Sequence, residues 1–224
     1  MIYICGDSFA PDIFRQAARH VGIPLCDTAQ EAELVIIAQD TPTLPNNGTR
    51  DLTVINAAVY LTLREFKGPV LLTSQVPPGF TRSFHEPRLY CQAETLRIKD
   101  AFERAIAPEQ HIIGCMNPDD PLPIEIHRWL EKFPAPIHKM KYEEAEFSKI
   151  AINVTLAHQV TLANALSHKA SGYGCDWNVI ANVLRHDKRI GPHAYLTPGN
   201  WKESPHLLRD YVTFHGGLDF LNIE

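Results

Sequence analysis

The run from Tyr142 to Gly172, YEEAEFSKIAINVTLAHQVTLANALSHKASG, constrains this chain more than any other feature. It has no proline, and Phe147, Ile150, Ala151, Val154, Ala157 and Val160 recur at steps of three and four, the spacing of one helix face. Gly172 suits the C-terminal cap. At ~1.5 Å per residue such a helix is about 45 Å long, too long for one face of a small domain, so it is expected to meet a second domain or subunit. Residues turn by ~100° around a helix, which puts Glu146, Lys149, Asn153 and Asn164 on one polar stripe among apolar neighbours. Such a stripe is either solvated surface, with Glu146 and Lys149 as an ordinary i,i+3 pair, or a site.

Upstream, short apolar runs alternate with helical patterns. Residues 2 to 6 and 23 to 26 predict short strands around a helix over Pro11 to His20, and ELVIIAQ (33 to 39) predicts a strand covered on both faces. A helix near Asp51 to Phe66 leads to the strand PVLLTS and the rigid turn VPPGFTR. Strands near 88, 111 and 136 then alternate with helices near 97 to 106 and 122 to 132. The β-α-β-α order implies an α/β fold, a reduced Rossmann-like, doubly wound parallel sheet over residues 1–138, followed by a helical domain over 139–224 built on the long helix. Ligands on such sheets sit beyond the carboxyl ends of the strands, which here carry Gly6-Asp7, Asp40-Thr41, Ser74-Gln75 and Gln92 to Glu94. Beyond the long helix come a shorter one over Asp176 to Arg185, a loop rich in proline and glycine, and a tail with Trp201, Tyr211 and Phe214.

Composition narrows the partner. A formal charge of -5 without a basic cluster disfavours nucleic acid or an anionic membrane as partner and favours a small solute. Five scattered cysteines form no CxxC pair, so they are expected to be reduced thiols. Without a leader-like N-terminus or a span of ~18 apolar residues, a cytoplasmic protein is expected. The eleven histidines include no HxH or HExxH, and no metal site is expected.

Three stretches together resemble the UDP-glucose/GDP-mannose dehydrogenase family, NAD-dependent enzymes that oxidise a sugar-nucleotide alcohol to the acid in two hydride transfers. SQVPPGFTR (74 to 82) is similar to the family's STVPPGTT turn, and QAETLRIKDA (92 to 101) to its PEFLREGxA segment. AEFSKIAINVTLAHQVTLANALSHKASGYGCDWNVIANVLRHDKRIGP (145 to 192) is similar, without a gap, to the central helix and its RIGP sequel. The resemblance implies roles position by position. Glu94 matches the carboxylate that positions or activates water, Lys149 and Asn153 the pair that stabilises charge on the reacting oxygen, and Asp210 the aspartate that handles water and protons. Arg97 and Arg189 match substrate-binding positions, and Gly6, Asp27, Thr41 and Gln75 are the corresponding cofactor-binding candidates. The resemblance also implies a nucleotide-sugar ligand and a homodimer through the long helix.

The chain departs from the family where the chemistry is most demanding. Aligned without gaps back from Asp210, the position of the family's nucleophilic cysteine holds His206, and imidazole cannot replace a thiolate in forming a thiohemiacetal and then a thioester. Cys91, three residues before Glu94, reads as core packing. The GxGxxG register holds Gly6-Asp7-Ser8-Phe9-Ala10-Pro11, with Asp27 as the candidate ribose acid. The chain stops at Glu224, so it is expected to lack the family's carboxyl-terminal domain and to need another protein to enclose a site. Two functions stay open: an NAD-dependent dehydrogenase with altered or impaired chemistry, or an inactive homologue, a pseudoenzyme, acting as a ligand-binding or assembly module. A third is acid-base chemistry by Glu94 and His206 without nicotinamide.

Overall fold

The computed structural model describes residues 1–44 and 48–216. They form β1 (Ile2–Cys5), α1 (Phe9–His20), β2 (Leu34–Ile37), α2 (Thr53–Glu65), β3 (Val70–Leu72), β4 (Leu89–Gln92), α3 (Ala101–Ile106), β5 (His111–Cys115), α4 (Ile124–Leu130), β6 (Ile137–Lys141), α5 (Tyr142–Gly172), α6 (Trp177–His186) and α7 (Pro205–His215). The chain divides into two compact units, one of Met1–Leu44 with Arg50–Lys149 and a second whose main segment begins at Ile150.

In the first unit the six strands lie in sequence order, all neighbours parallel except the antiparallel pair β4 and β5. The short strand expected at residues 23 to 26 is reduced to one parallel bridge between Ile2 and Leu25, made by Ile2 N–H to the Pro24 carbonyl and Cys26 N–H to the Ile2 carbonyl. That bridge lies on the side of β1 away from β2. The reversal of strand order that defines a doubly wound sheet therefore survives at β1, on a single residue pair.

Ile2, Ile4, Leu34, Ile36, Leu71 and Ile113 turn to one face and pack with α1, α3 and α4, where Trp129 meets Phe14 and Phe133 edge-on at 6.4 and 4.9 Å. Every residue of β2 is buried, as a parallel strand covered on both faces requires. β6 runs straight into α5, and Glu144 reaches back to accept the Lys141 N–H at 2.8 Å, as the glutamate of a capping box does. The first turn of α5 lies close on the sheet because β5 carries Gly114. A Cβ there would come within 2.4 Å of Cys91 Sγ and 2.9 Å of Ala145 Cβ. Ala145, Glu146, Lys149 and Ile150 are buried, whereas Phe147 falls on the opposite side of the helix and is exposed, contrary to its expected place among the core positions.

The second unit packs α5 from Ile150 onward with α6 around Ala163, Ala170, Trp177, Ala181 and Leu196, and the Trp177 indole N–H donates to the Leu196 carbonyl at 2.8 Å. α5 ends in a Schellman motif. Cys175 N–H bonds the Ala170 carbonyl and Gly174 N–H the Ser171 carbonyl, with Gly174 at φ 70°. The capping glycine is thus Gly174 rather than Gly172. The tail is helical from Pro205, which occupies the first turn of α7, where its missing N–H costs nothing. Among the described residues no helix is long and apolar enough to cross a membrane.

Candidate active site

The carboxyl ends of the parallel strands in the sheet unit hold buried polar atoms without partners: Ser8 Oγ after β1, Ser74 Oγ after β3 and Gln92 Oε1 at the end of β4. An unpaired buried polar group costs about 1–3 kcal/mol, and these three lie at the edge where doubly wound sheets bind ligands, which makes that edge the candidate site. Gly6 has φ 128°, and a Cβ there would meet the Pro11 ring at 2.7 Å and the Gln39 backbone nitrogen at 3.2 Å, so only glycine fits this turn. Ser8 is the N-cap of α1, yet its hydroxyl makes no capping bond. A free hydroxyl and the first N–H groups of a 12-residue helix fit a phosphate, although Pro11 removes one donor from that turn.

Asp27 lines a cavity of about 250 Å³ with Tyr3, Ile4, Arg15, Leu25 and Cys26. Arg15 donates to the Ile4 and Gly6 carbonyls at 2.9 and 2.7 Å, stapling the turn to α1. Thr41 and Gln75 come together, the Thr41 hydroxyl donating to the Gln75 carbonyl at 2.7 Å.

Glu94 lies in the irregular segment between β4 and α3, and its carboxylate accepts the Thr95 N–H at 2.6 Å. Burial pushes its pKa above the ordinary carboxylate value, while the Thr95 N–H, the Lys149 ammonium, the Leu96 N–H and Arg104 act the other way. Lys149 is itself buried, and its ammonium acts on the Glu94 carboxyl as an opposite charge. Arg97 is exposed and forms a local ion pair with Asp100.

The polar stripe of α5 is neither plain surface nor simply a row of catalytic groups. Glu146 is buried and accepts the N–H groups of Gly79 and Thr81 at 2.6 and 2.9 Å, clamping the VPPGFTR turn, with burial raising its pKa against those two bonds. Glu143 binds Arg82 of the same turn through two bonds at 2.6 and 3.0 Å. In the helical unit Asn153 donates to Asp210 at 2.6 Å, both buried, and Asn164 exchanges two 2.8 Å bonds with the Gly199 backbone. His206 is exposed on the first turn of α7, four residues before Asp210. Arg189 pairs with Asp187 at 2.7 Å, the ordinary fate of a loop arginine. Cys91 is packed beside Gly114 and its thiol is pushed far up by burial, which suits core packing and not a nucleophile.

Ser74 and Gln92 stand at strand ends expected to meet a ligand, without an assigned role, and Ser8 was not among the site candidates. Their positions were within reach, since Ser8 fills the second glycine position of the phosphate turn and the other two end strands. Their lack of partners is visible only in three dimensions. Among the described residues no group of three or more His, Cys, Asp or Glu is arranged to hold a metal ion.

Residues 143–202 match the sequence profile of the UDP-glucose/GDP-mannose dehydrogenase family, central domain. The chain is 26% identical over 174 residues to UDP-glucose 6-dehydrogenase TuaD of Bacillus subtilis, covering 71% of this chain and 37% of that protein. It is 24% identical over 203 residues to UDP-glucose 6-dehydrogenase of Streptococcus pneumoniae, covering 81% and 51%. The chain thus spans about half the length, or less, of these relatives. Among solved structures, the UDP-glucose dehydrogenase of the archaeon Pyrobaculum islandicum superposes with a TM-score of 0.64 at 26% identity, covering 92% of this chain and 55% of that one. The GDP-mannose dehydrogenase of Pseudomonas aeruginosa, at 24% identity and a TM-score of 0.62 over 84% and 48%, shares the fold. Residues 143–202 are therefore similar to the central domain of the UDP-glucose/GDP-mannose dehydrogenase family, and the chain as a whole is similar in sequence and fold to nucleotide-sugar dehydrogenases.

Proposed function

We propose that this protein binds a sugar nucleotide and NAD and oxidises a sugar alcohol or aldehyde, with chemistry altered by the loss of the nucleophilic cysteine. The observation that carries this reading is the Glu94 carboxyl just after β4, raised in pKa by burial and acted on by the Lys149 ammonium, two residues beyond the unpartnered Gln92 oxygen. Ser8 and the first turn of α1 would hold the cofactor pyrophosphate and Asp27 its ribose, and bound NAD would supply the hydride acceptor. Lys149 is the donor to the reacting oxygen, favouring the alkoxide from which hydride departs. Glu94, its basicity raised by burial, takes a proton from the alcohol or from an attacking water. In the helical unit Asn153 and Asp210, with His206 one turn before Asp210, are the further donor and acid-base candidates.

Without a cysteine at the position of His206 no thioester forms, so the expected product from a sugar alcohol is the aldehyde, with one reduced nicotinamide per sugar instead of two. The test is absorbance at 340 nm with NAD and a panel containing UDP-glucose and GDP-mannose, with reduced cofactor counted per sugar consumed. Glu94→Gln and Lys149→Ala should each lower the rate by 10²-fold or more, in keeping with the usual weight of acid-base and oxyanion groups. A folded protein that neither binds NAD in calorimetry nor reduces it with any member of the panel overturns the reading.

A second reading, an inactive ligand-binding or assembly module, is favoured by the Asn153 amide that already donates to Asp210. It predicts sugar-nucleotide binding without reduced cofactor. Homodimerisation through the long helix belongs to either reading and is tested by light scattering.

A further inference from the structure

The segment that carries Glu94 has no regular secondary structure, so a carboxylate there needs an anchor to keep one orientation. Arg104, on α3, supplies two contacts to the neighbouring residue. Its Nε donates to the Thr95 carbonyl at 3.1 Å and one terminal nitrogen to the Thr95 hydroxyl at 3.4 Å, while the other terminal nitrogen reaches the exposed Glu109 carboxylate at 3.2 Å. Thr95 in turn donates its N–H to Glu94. We propose that Arg104 is the positioning residue of Glu94: its guanidinium holds both acceptors of Thr95, and Thr95 holds the carboxylate. The role matters for catalysis only if Glu94 is the site carboxylate, as proposed above.

The planar fork is what suits arginine to this task, because it fixes two acceptors of one residue at once. Charge adds a second effect. The groups facing Glu94 are Lys149 from α5, Arg104 from α3 and the N–H groups of Thr95 and Leu96, all favouring the carboxylate against burial. Removing Arg104 loosens the Thr95 N–H and deletes one of two cations, and both changes make Glu94 harder to ionise. Lysine in its place keeps the charge but cannot grip both acceptors.

The experiment follows the Glu94 side-chain carboxyl and the Thr95 amide by NMR across pH in the full chain, with the carboxyl signal assigned through Glu94→Gln. In Arg104→Met the Glu94 midpoint should move upward, and the Thr95 amide should lose most of the pH-dependent shift that a carboxylate acceptor imposes. In Arg104→Lys the midpoint should move less while the Thr95 amide is still weakened. A purely structural arginine would lower the melting temperature and leave both signals as in the wild type, and that result in either variant overturns the proposal. If Arg104→Met does not fold, Arg104→Lys decides by the same criterion. Neither signal requires turnover, so absence of hydride transfer and absence of this clamp are separate outcomes.

Discussion

In the unit that begins at Ile150, polar side chains are used on the chain itself. Asn153 donates to Asp210, Gln159 accepts the Tyr195 N–H at 2.8 Å, Asn164 binds Gly199 twice and Trp177 bonds Leu196. The sheet unit leaves Ser8 Oγ, Ser74 Oγ and Gln92 Oε1 buried at its strand ends with no partner. A fold tolerates unpaired polar atoms where something else is to meet them and closes its polar groups on one another where the task is architecture. The two units thus differ in how their polar groups are used: the sheet edge leaves polar atoms open, as the proposed function needs, and the helical unit pairs many of its own.

The largest effect is expected at Asn153. Asn153→Leu leaves the fully buried Asp210 carboxylate without this donor, and a loss of about 2–3 kcal/mol is expected in urea unfolding. A change under about 0.5 kcal/mol would mean that the helical unit does not depend on its internal pairs.

A smaller effect is expected from pH on the sheet unit. His111 is buried, its Nε2–H donating to the Phe133 carbonyl at 2.7 Å, and burial lowers its pKa from the ordinary 6.5. Above about 6.5 both folded and unfolded chains carry the neutral ring. As pH falls, the unfolded chain takes a proton first, so stability is full above that value and declines toward the lower folded-state value. Thermal melts from pH 7.5 to 5 should show this slope in the wild type and a flatter one in His111→Gln. Equal slopes would remove His111 from the account.

The smallest effect sharpens the contrast. Ser8→Ala and Ser74→Ala each delete an orphan hydroxyl and should change stability by no more than about 0.5 kcal/mol, while weakening NAD binding in calorimetry. A loss well above 1 kcal/mol on either substitution would show that the hydroxyl has a structural partner after all.

Much of the architecture was legible in residue pattern. The span of α5 came from unbroken spacing without proline, and β2 from a continuous apolar run, because helix and strand periodicity are local properties. The antiparallel turn of β5, the collapse of the second strand to one bridge and the helicity of residues 205–215 were not, since each depends on partners distant in sequence or on a proline whose meaning changes with its position in the helix. Motif resemblance named Glu94, Lys149, Asn153 and Asp210 as candidates. It did not distinguish catalytic from clamping use along one stripe, nor reveal Arg104, whose role exists only because α3 returns to Thr95.

By itself the sequence determined the element order, the doubly wound α/β class, the long helix and the family to which its central segment is related, all properties carried by local periodicity and by motifs of fixed spacing. Only the tertiary structure decided which polar residues are already paired and which are not. Pairing is set by groups that meet across 50 to 70 positions of chain, as Glu146 meets Gly79 and Thr81 and Asn153 meets Asp210, and no local pattern records such meetings.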